Sequence, residues 1–296
     1  MTRIRLVGPA LVLAIALATG VAAGSQSAER VLYVTALDAA SRAPVESLAV
    51  EDVRVTEDGR PREVLRVAPA TTPLPVALLI DNQQAVQQTI ADTRNAVGAF
   101  IRAMAGVGPI ALITVADRPT ILQDYTTDTA RLLAATNRIF AQPDSGALML
   151  EGIVEVSRGL QRRTEDRAAI VLVTSELTEF STLHFSQVLG PLKSAGAMLS
   201  AVVLTNQQGS MQNDAARNRA VVLDRGVTET GGLRLNVLTS QAYTASLGQI
   251  AAALKAQHRV VYARPDQLIP PERVQVSGAR DALWLTGAPA RGQKER

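Results

Sequence analysis

The chain has 296 residues, of which 47% are hydrophobic, so it can form a sizeable buried core and is not a disordered chain. Thirty basic and 27 acidic residues give a formal net charge of only +3, and no basic segment is interleaved with aromatic residues, so nucleic-acid binding is not expected. The absence of cysteine excludes disulfides, thiol catalysis and thiolate metal sites, and two distant histidines, His184 and His258, disfavour a histidine-rich zinc site.

The first 23 residues have the pattern of an export signal. Arg3 and Arg5 supply a positive start, residues 11–17 are a short apolar run, and residues 21–23 are small enough for signal-peptidase cleavage. Residues 1–23 are therefore predicted to be a signal peptide, which places the chain in the periplasm or outside the cell. The alternative is an uncleaved membrane anchor, and no other segment approaches the length of a membrane span.

Residues 24–72 are predicted to form a short β-rich module. Residues 24–30 are expected to be a flexible lead, followed by strands at 31–35, around Val53 and Val55, and at 64–67, with a turn at 57–61. So short a segment buries little surface alone, and we expect it to pack against another part of the chain.

Residues 73–264 alternate apolar runs with amphipathic stretches, which predicts an α/β domain. Strands are expected at 76–80, 110–116, 120–125, 169–174, 199–204 and 259–263, and helices around 86–104, 132–139, 150–160, 185–194, 215–224 and 247–254. Strands without polar alternation, separated by helices, indicate a doubly wound, mainly parallel sheet with helices on both faces. Ligands bind such sheets beyond the carboxyl ends of the strands, here in the loops after Ile80 and Thr174.

Two further patterns concern a pair of glycines and the C-terminal residues. Gly231 and Gly232 are expected to cap a helix and open the next strand. Residues 265–296 form a tail with short strand-like pieces at 273–276 and 283–285, which we expect to pair with the N-terminal module.

The motifs of several enzyme classes are missing from the sequence. It has no phosphate-binding glycine-rich loop and no Gly-x-Ser-x-Gly nucleophile motif. Ser175 has no histidine near it in sequence, so a hydrolase would need His184 or His258 to be brought in by folding. The chain is not expected to be an enzyme.

The segment Asp81-Asn82-Gln83-Gln84-Ala85, between an apolar strand and an amphipathic helix, resembles the von Willebrand factor type A (VWA) family. Residues 53–59, 150–153, 171–174 and 230–232 agree in order and spacing with a bacterial branch of that family, and the resemblance covers residues 31–280. It implies the Rossmann-like VWA fold and protein binding at the loop face of the sheet.

Family members with a metal-ion-dependent adhesion site carry Asp-x-Ser-x-Ser after the first strand, a later threonine and an aspartate after the fourth strand. Asp81 matches the first aspartate, but Gln83 and Ala85 replace the two serines. Ala147 stands where the threonine is expected, and Ser175 where the later aspartate is expected. Because a hard cation such as Mg²⁺ requires several oxygen ligands, the resemblance implies a degenerate site without a bound metal or other cofactor.

Two alternatives remain for Asp81. A substitute Mg²⁺ site would be built on Asp81 with Gln83, Ser175 and either Glu176 or Asp144. In the other alternative, the Asp81 carboxylate stabilises the N-terminus of the following helix.

The sequence as a whole predicts an exported, non-catalytic module that binds a protein partner outside the cytoplasm without a metal ion. The alternatives are a metal-dependent adhesin with a rewired ion site at Asp81 and a hydrolase using the crevice at the sheet edge. The residues expected to contact the partner are Asp81, Asn82, Gln83, Gln84, Asp144, Ser145, Ser175 and Glu176, with Phe180 at the end of the third loop.

Overall fold

The computed structural model describes residues 27–177, 179–205, 213–265, 269 and 271–290. The predicted signal peptide, residues 1–23, lies outside the described residues. None of the helices within them is long and apolar enough to cross a bilayer.

The described residues form strands and helices over most of their length. The strands are β1 Ser27–Asp38, β2 Val53–Glu57, β3 Arg60–Arg62, β4 Val64–Pro69, β5 Val76–Asp81, β6 Ile110–Val115, β7 Pro119–Thr126, β8 Ala168–Ser175, β9 Ala197–Leu204, β10 Arg234–Val237, β11 Gln257–Pro265, β12 Val274–Gly278 and β13 Leu283–Pro289. The α-helices are α1 Ile90–Ala103, α2 Thr129–Thr136, α3 Met149–Gln161, α4 Phe185–Ser194, α5 Asp214–Val221, α6 Val227–Thr230 and α7 Tyr243–Lys255. A 3-10 helix, Gln84–Thr89, precedes α1, and a π-helical turn, Val222–Gly226, joins α5 to α6.

The largest sheet has the order β10-β9-β8-β5-β6-β7, and all its pairs are parallel except the antiparallel pair of β6 with β7. Strands β5, β6 and β8 are buried at every position, as expected for a sheet covered on both faces. One face packs against α1, α2 and α7, and the other against α3 and α4. The predicted doubly wound α/β fold is confirmed. The strand order reverses between β5 and β8, so their carboxyl ends flank the switch point.

The N-terminal and C-terminal segments form antiparallel β-structure, as predicted. Strand β13 pairs with β1, and β12 pairs with β2, in sheets of order β13-β1-β11-β4 and β12-β2-β3. Their shared core contains Leu32, Val34, Val55 and Val260, among other apolar side chains.

Two expectations for this region are corrected. Residues 259–263, predicted as a strand of the α/β domain, belong to β11, which lies between β1 and β4. An apolar run predicts a buried strand but does not encode its pairing partner. The lead predicted at 24–30 is a strand from Ser27 onward, because Ser27 and Arg30 pair with Pro265 and Tyr262 of β11.

The antiparallel part contacts the α/β part at the amino end of β8, through the buried side chain of Arg167. Its guanidinium donates from Nε to the carbonyl of Thr72 at 2.9 Å and from Nη1 to Gln257 Oε1 at 3.0 Å. The same group lies 5.4 Å from the ring centroid of Tyr33 on β1. One arginine therefore ties Thr72, β1 and β11 to the end of the sheet opposite the carboxyl ends of its strands.

Candidate functional site

Asp81 is the last residue of β5, at the carboxyl edge of the sheet, and only 4% of its surface is exposed. Its Oδ1 accepts a hydrogen bond from the Gln83 backbone N–H at 3.2 Å. Its Oδ2 accepts from Gln83 Nε2 at 3.2 Å, from Thr174 Oγ1 at 3.0 Å and from Ser175 Oγ at 3.4 Å. Burial raises the pKa of Asp81, while the charge of Arg219 and the hydrogen bonds from Gln83 oppose that rise.

Arg219 of α5 reaches the same place from a different part of the chain. It is 5% exposed and donates from Nη1 to the carbonyl of Leu177 at 3.0 Å and from Nη2 to Thr174 Oγ1 at 3.2 Å. Nη2 also donates to the carbonyl of Ser175. Burial lowers the pKa of Arg219, and the nearby carboxylates, Glu179 first, counteract that change.

Glu179 is a second buried ionisable residue at this edge, with 1% of its surface exposed. Its Oε1 accepts a hydrogen bond from the backbone N–H of Met149 at 3.0 Å, at the start of α3. Burial raises the pKa of Glu179 to about 7, against the opposing effects of Arg219 and the Met149 N–H, whereas Glu151 adds to the rise. The backbone beside it is fixed, because Glu179 forms a parallel bridge with Ala147.

The residues predicted to contact a partner do come together, but at two depths. Asp81, Asn82, Gln83 and Ser175 are buried and form the floor of the site. Gln84 and Asp144 are exposed, and Ser145 and Glu176 are half-buried above that floor. The loops are tied together, because Asp144 N donates to Gln84 Oε1 at 2.8 Å and Asn82 Nδ2 donates to the carbonyl of Phe140 at 3.0 Å.

Two phenylalanines project from these loops. Phe140 is 62% exposed and Phe180 is 60% exposed. Phe180 lies against Gly146, where a Cβ would come within 2.0 Å of Phe180 Cδ2, and the Arg94 guanidinium lies 4.4 Å from the Phe140 ring centroid. Sequence reasoning named Phe180 but missed Phe140. The available signal was that Phe140 follows Ile139, the last apolar position of a predicted helix, and so falls outside its buried face.

The side chains around Asp81 do not fit a magnesium ion. Ala85 and Ala147 offer no side-chain ligand, and the Gln83 amide donates to Asp81. Both Asp81 oxygens accept hydrogen bonds, and a buried guanidinium lies nearby. Mg²⁺ prefers a near-octahedral set of oxygen ligands, and a fixed positive charge opposes its approach. No group of three or more His, Asp or Glu side chains suited to a metal occurs among the described residues.

Neither histidine is hydrogen-bonded to Ser175. His184 Nδ1 is hydrogen-bonded to Ser186 Oγ at 2.9 Å, at the start of α4. His258, on β11 in the antiparallel sheet, bonds through Nε2 to the carbonyl of Glu46 at 3.0 Å. Ser175 donates its hydroxyl to Asp81, so the geometry provides no histidine base for a serine nucleophile.

No protein-family profile and no curated protein matches the chain. Among solved structures, it is similar to a von Willebrand factor type A protein from Catenulispora acidiphila, with 10% identity and a TM-score of 0.51 over 91% of this chain and 74% of that one. It is also similar to the conserved hypothetical protein BatB from Bacteroides thetaiotaomicron, with 12% identity and a TM-score of 0.46 over 62% of this chain and 99% of that one. The PilB minor pilin from Streptococcus sanguinis gives 11% identity and a TM-score of 0.49 over 63% of this chain and 62% of that one. The chain therefore has the von Willebrand factor type A fold that the resemblance at residues 81–85 implied.

Proposed function

We propose that this chain is an exported, non-catalytic module that binds a protein partner through its loop face without a metal ion. The loop face is the surface formed by Gln84, Phe140, Asp144, Ser145, Glu176 and Phe180. The observation that carries the proposal is the arrangement of two exposed phenylalanines over a buried polar floor whose hydrogen bonds are made within the chain.

The composition of the loop face suits a protein partner. Aromatic side chains supply much of the binding energy in protein interfaces, and polar groups around them fix the orientation of the partner. Phe140 and Phe180 provide the apolar area, while Gln84 and Asp144 provide hydrogen-bonding groups. A partner that covered both rings would remove a large apolar area from water.

Thermal melts of the full chain test the metal-independent part of the proposal. An ion that bound the native state would raise the Tm by mass action. Since we propose that none binds, we expect millimolar Mg²⁺, Ca²⁺ or Mn²⁺ to change the Tm, relative to chelator, by no more than roughly a degree. A saturable increase in Tm that is lost in Asp81→Ala would instead support the metal-dependent adhesin.

Site-specific cross-linking tests the location of the interface. A photoreactive phenylalanine analogue is placed at position 180, at position 84 or, as a control, at position 162. Arg162 is exposed and follows α3, whose other end lies at the loop face, so it marks the opposite end of the domain. The full chain is irradiated in the cells that produce it, with and without chelator.

We expect positions 84 and 180 to give an adduct of the same partner, unaffected by chelator, and position 162 to give none. The Phe180→Asp and Phe140→Asp variants should weaken capture at position 84 at least tenfold, because each removes an apolar anchor worth more than about 1.4 kcal/mol. Equal adducts at all three positions, or capture unchanged by both substitutions, would contradict the proposed interface.

Export is tested separately by mass spectrometry of the N-terminus. The charged start, apolar run and small residues of positions 1–23 support cleavage near residue 23. Recovery of the intact N-terminus in the cytoplasmic fraction would contradict export without affecting the proposed interface.

A further inference from the structure

Arg219 is a buried cation with too little exposed surface for water to solvate its charge fully. A buried guanidinium costs several kcal/mol unless nearby groups compensate its charge. Its three hydrogen-bond acceptors here are neutral: the carbonyls of Leu177 and Ser175 and the hydroxyl of Thr174. Compensation of its charge must therefore come from carboxylates beyond these contacts.

The carboxylates in question are Asp81 and Glu179, both buried, with half-buried Glu176 at the edge. The donors to Asp81 are neutral side chains and one backbone amide, and Glu179 accepts from a backbone amide. Arg219 is the cation whose charge lowers the pKa of both Asp81 and Glu179. The buried anions and the buried cation thus compensate one another.

The Thr174 hydroxyl connects the two charges directly. It accepts from Arg219 Nη2 at 3.2 Å and donates to Asp81 Oδ2 at 3.0 Å, which a single hydroxyl can do at once. The other two Arg219 bonds hold the backbone at Ser175 and Leu177, directly before the segment that carries Glu179 and Phe180.

We infer that Arg219 is a resident cation of the site, and that its guanidinium both compensates the charge of the buried carboxylates and holds the backbone at Ser175 and Leu177, so that neither requires a bound divalent ion. The cation is supplied by α5 and is covalently part of the chain, so its contacts with Ser175 and Leu177 do not depend on the concentration of divalent ions. Arg219 would have this role whether or not a protein partner binds the loop face.

A double-mutant cycle between Arg219→Ala and Glu179→Gln tests the electrostatic coupling, using the full chain at pH 8. The glutamine side chain keeps an acceptor for the Met149 N–H but carries no negative charge, so Glu179→Gln should relieve the uncompensated charge left by Arg219→Ala. We expect Arg219→Ala to lower the Tm by roughly 10 °C, and Glu179→Gln to raise the Tm more in the Arg219→Ala background than in the wild type.

Arg217→Ala is the matched control, because Arg217 lies on the same helix with an exposed side chain paired to Asp214. It should change the Tm by no more than roughly 2 °C and show no coupling to Glu179→Gln. An equal effect of Glu179→Gln in both backgrounds would overturn the inference. So would failure of both Arg219→Ala and the double variant to fold, because the arginine would then act through packing and not through charge.

Discussion

The protonation of the buried Glu179 carboxyl is coupled to folding. Burial raises its pKa from 4.5 to about 7, with Arg219 opposing the rise and Glu151 and Asp81 adding to it. Between these two pH values the native state holds a proton that the unfolded state has lost. Raising the pH through that window therefore lowers the free energy of unfolding, by up to about 3 kcal/mol from this group.

Urea unfolding of the wild type and Glu179→Gln between pH 4.5 and pH 8 measures this contribution. Glutamine does not ionise, so the variant should gain stability relative to the wild type as the pH rises. Asp81, whose pKa burial also raises, contributes in the same direction in both proteins. A stability difference between the two proteins that stays constant with pH would contradict the prediction.

Single residues also mark the limit of what could be predicted for the site. The sequence located Asp81, Gln83 and Ser175 together, because they follow two strands whose carboxyl ends must meet at the switch point. It did not predict their burial, nor the participation of Arg219. The signal for Arg219 was present: it is in helical register with the buried positions Val222, Leu223, Gly226, Val227 and Thr230. An arginine on a buried helical face needs an internal partner, but the identity of that partner depends on tertiary structure.

Gly231 ends α6 in the left-handed conformation, which residues with a side chain adopt only at a cost in free energy. Its φ is +75°, and a Cβ at this position would lie 2.4 Å from the carbonyl carbon of Gly287 on β13. Gly231→Ala should therefore destabilise the chain by at least about 2 kcal/mol, because it adds left-handed strain and forces two backbones apart. Thermal unfolding measures the loss.

Gly248→Ala is the matched control for that prediction. Gly248 lies within α7, is exposed, and has open space around its missing Cβ. The same substitution there should stabilise the chain by about 0.5–1 kcal/mol, because alanine is the better helix former. If both variants lost stability equally, the close approach of Gly287 would not be the cause.

Helices and strands could be predicted where the local spacing of apolar residues is sufficient to define them. Helix α4 has the bounds predicted from its apolar spacing, and Gly231 caps a helix before β10 as expected. The helix predicted at 215–224 instead continues through a π-helical turn to Thr230, because its buried face extends that far. The placement of β11 was not predictable from its own residues, since an apolar strand has the same pattern in either sheet.

The two ends of the described sequence together form an antiparallel brace, which consists of the sheets β13-β1-β11-β4 and β12-β2-β3 and packs against the α/β domain. Strands β1 and β13 pair although they lie at opposite ends of the described sequence, and β11 lies between β1 and β4. Closing such distant contacts costs chain entropy, which the shared apolar core must offset. The brace meets the sheet at the amino end of β8, so it supports the domain from the side opposite the loop face.

Substitution of Arg167 tests how much the contact between the antiparallel brace and the α/β domain contributes to stability. Its guanidinium donates to the carbonyls of Ala70 and Thr72 and to Gln257, and it lies over the Tyr33 ring, whose hydroxyl donates to Asp166 at 2.5 Å. Arg167→Ala leaves the buried Gln257 acceptor and the half-buried carbonyls of Ala70 and Thr72 without their donor, and we expect it to lower the free energy of unfolding by about 3 kcal/mol. Exposed Arg162→Ala should change it by less than about 0.5 kcal/mol.

Hydrogen exchange followed by mass spectrometry locates the effect of Arg167→Ala. Exchange should accelerate in residues 64–75 and in β1 and β11, while the amides of β5 and the loop face keep the protection that they have in the wild type, because the parallel sheet has its own buried core on both faces. Uniform acceleration across β5 and β8 would show instead that the antiparallel brace and the α/β domain unfold as one cooperative unit.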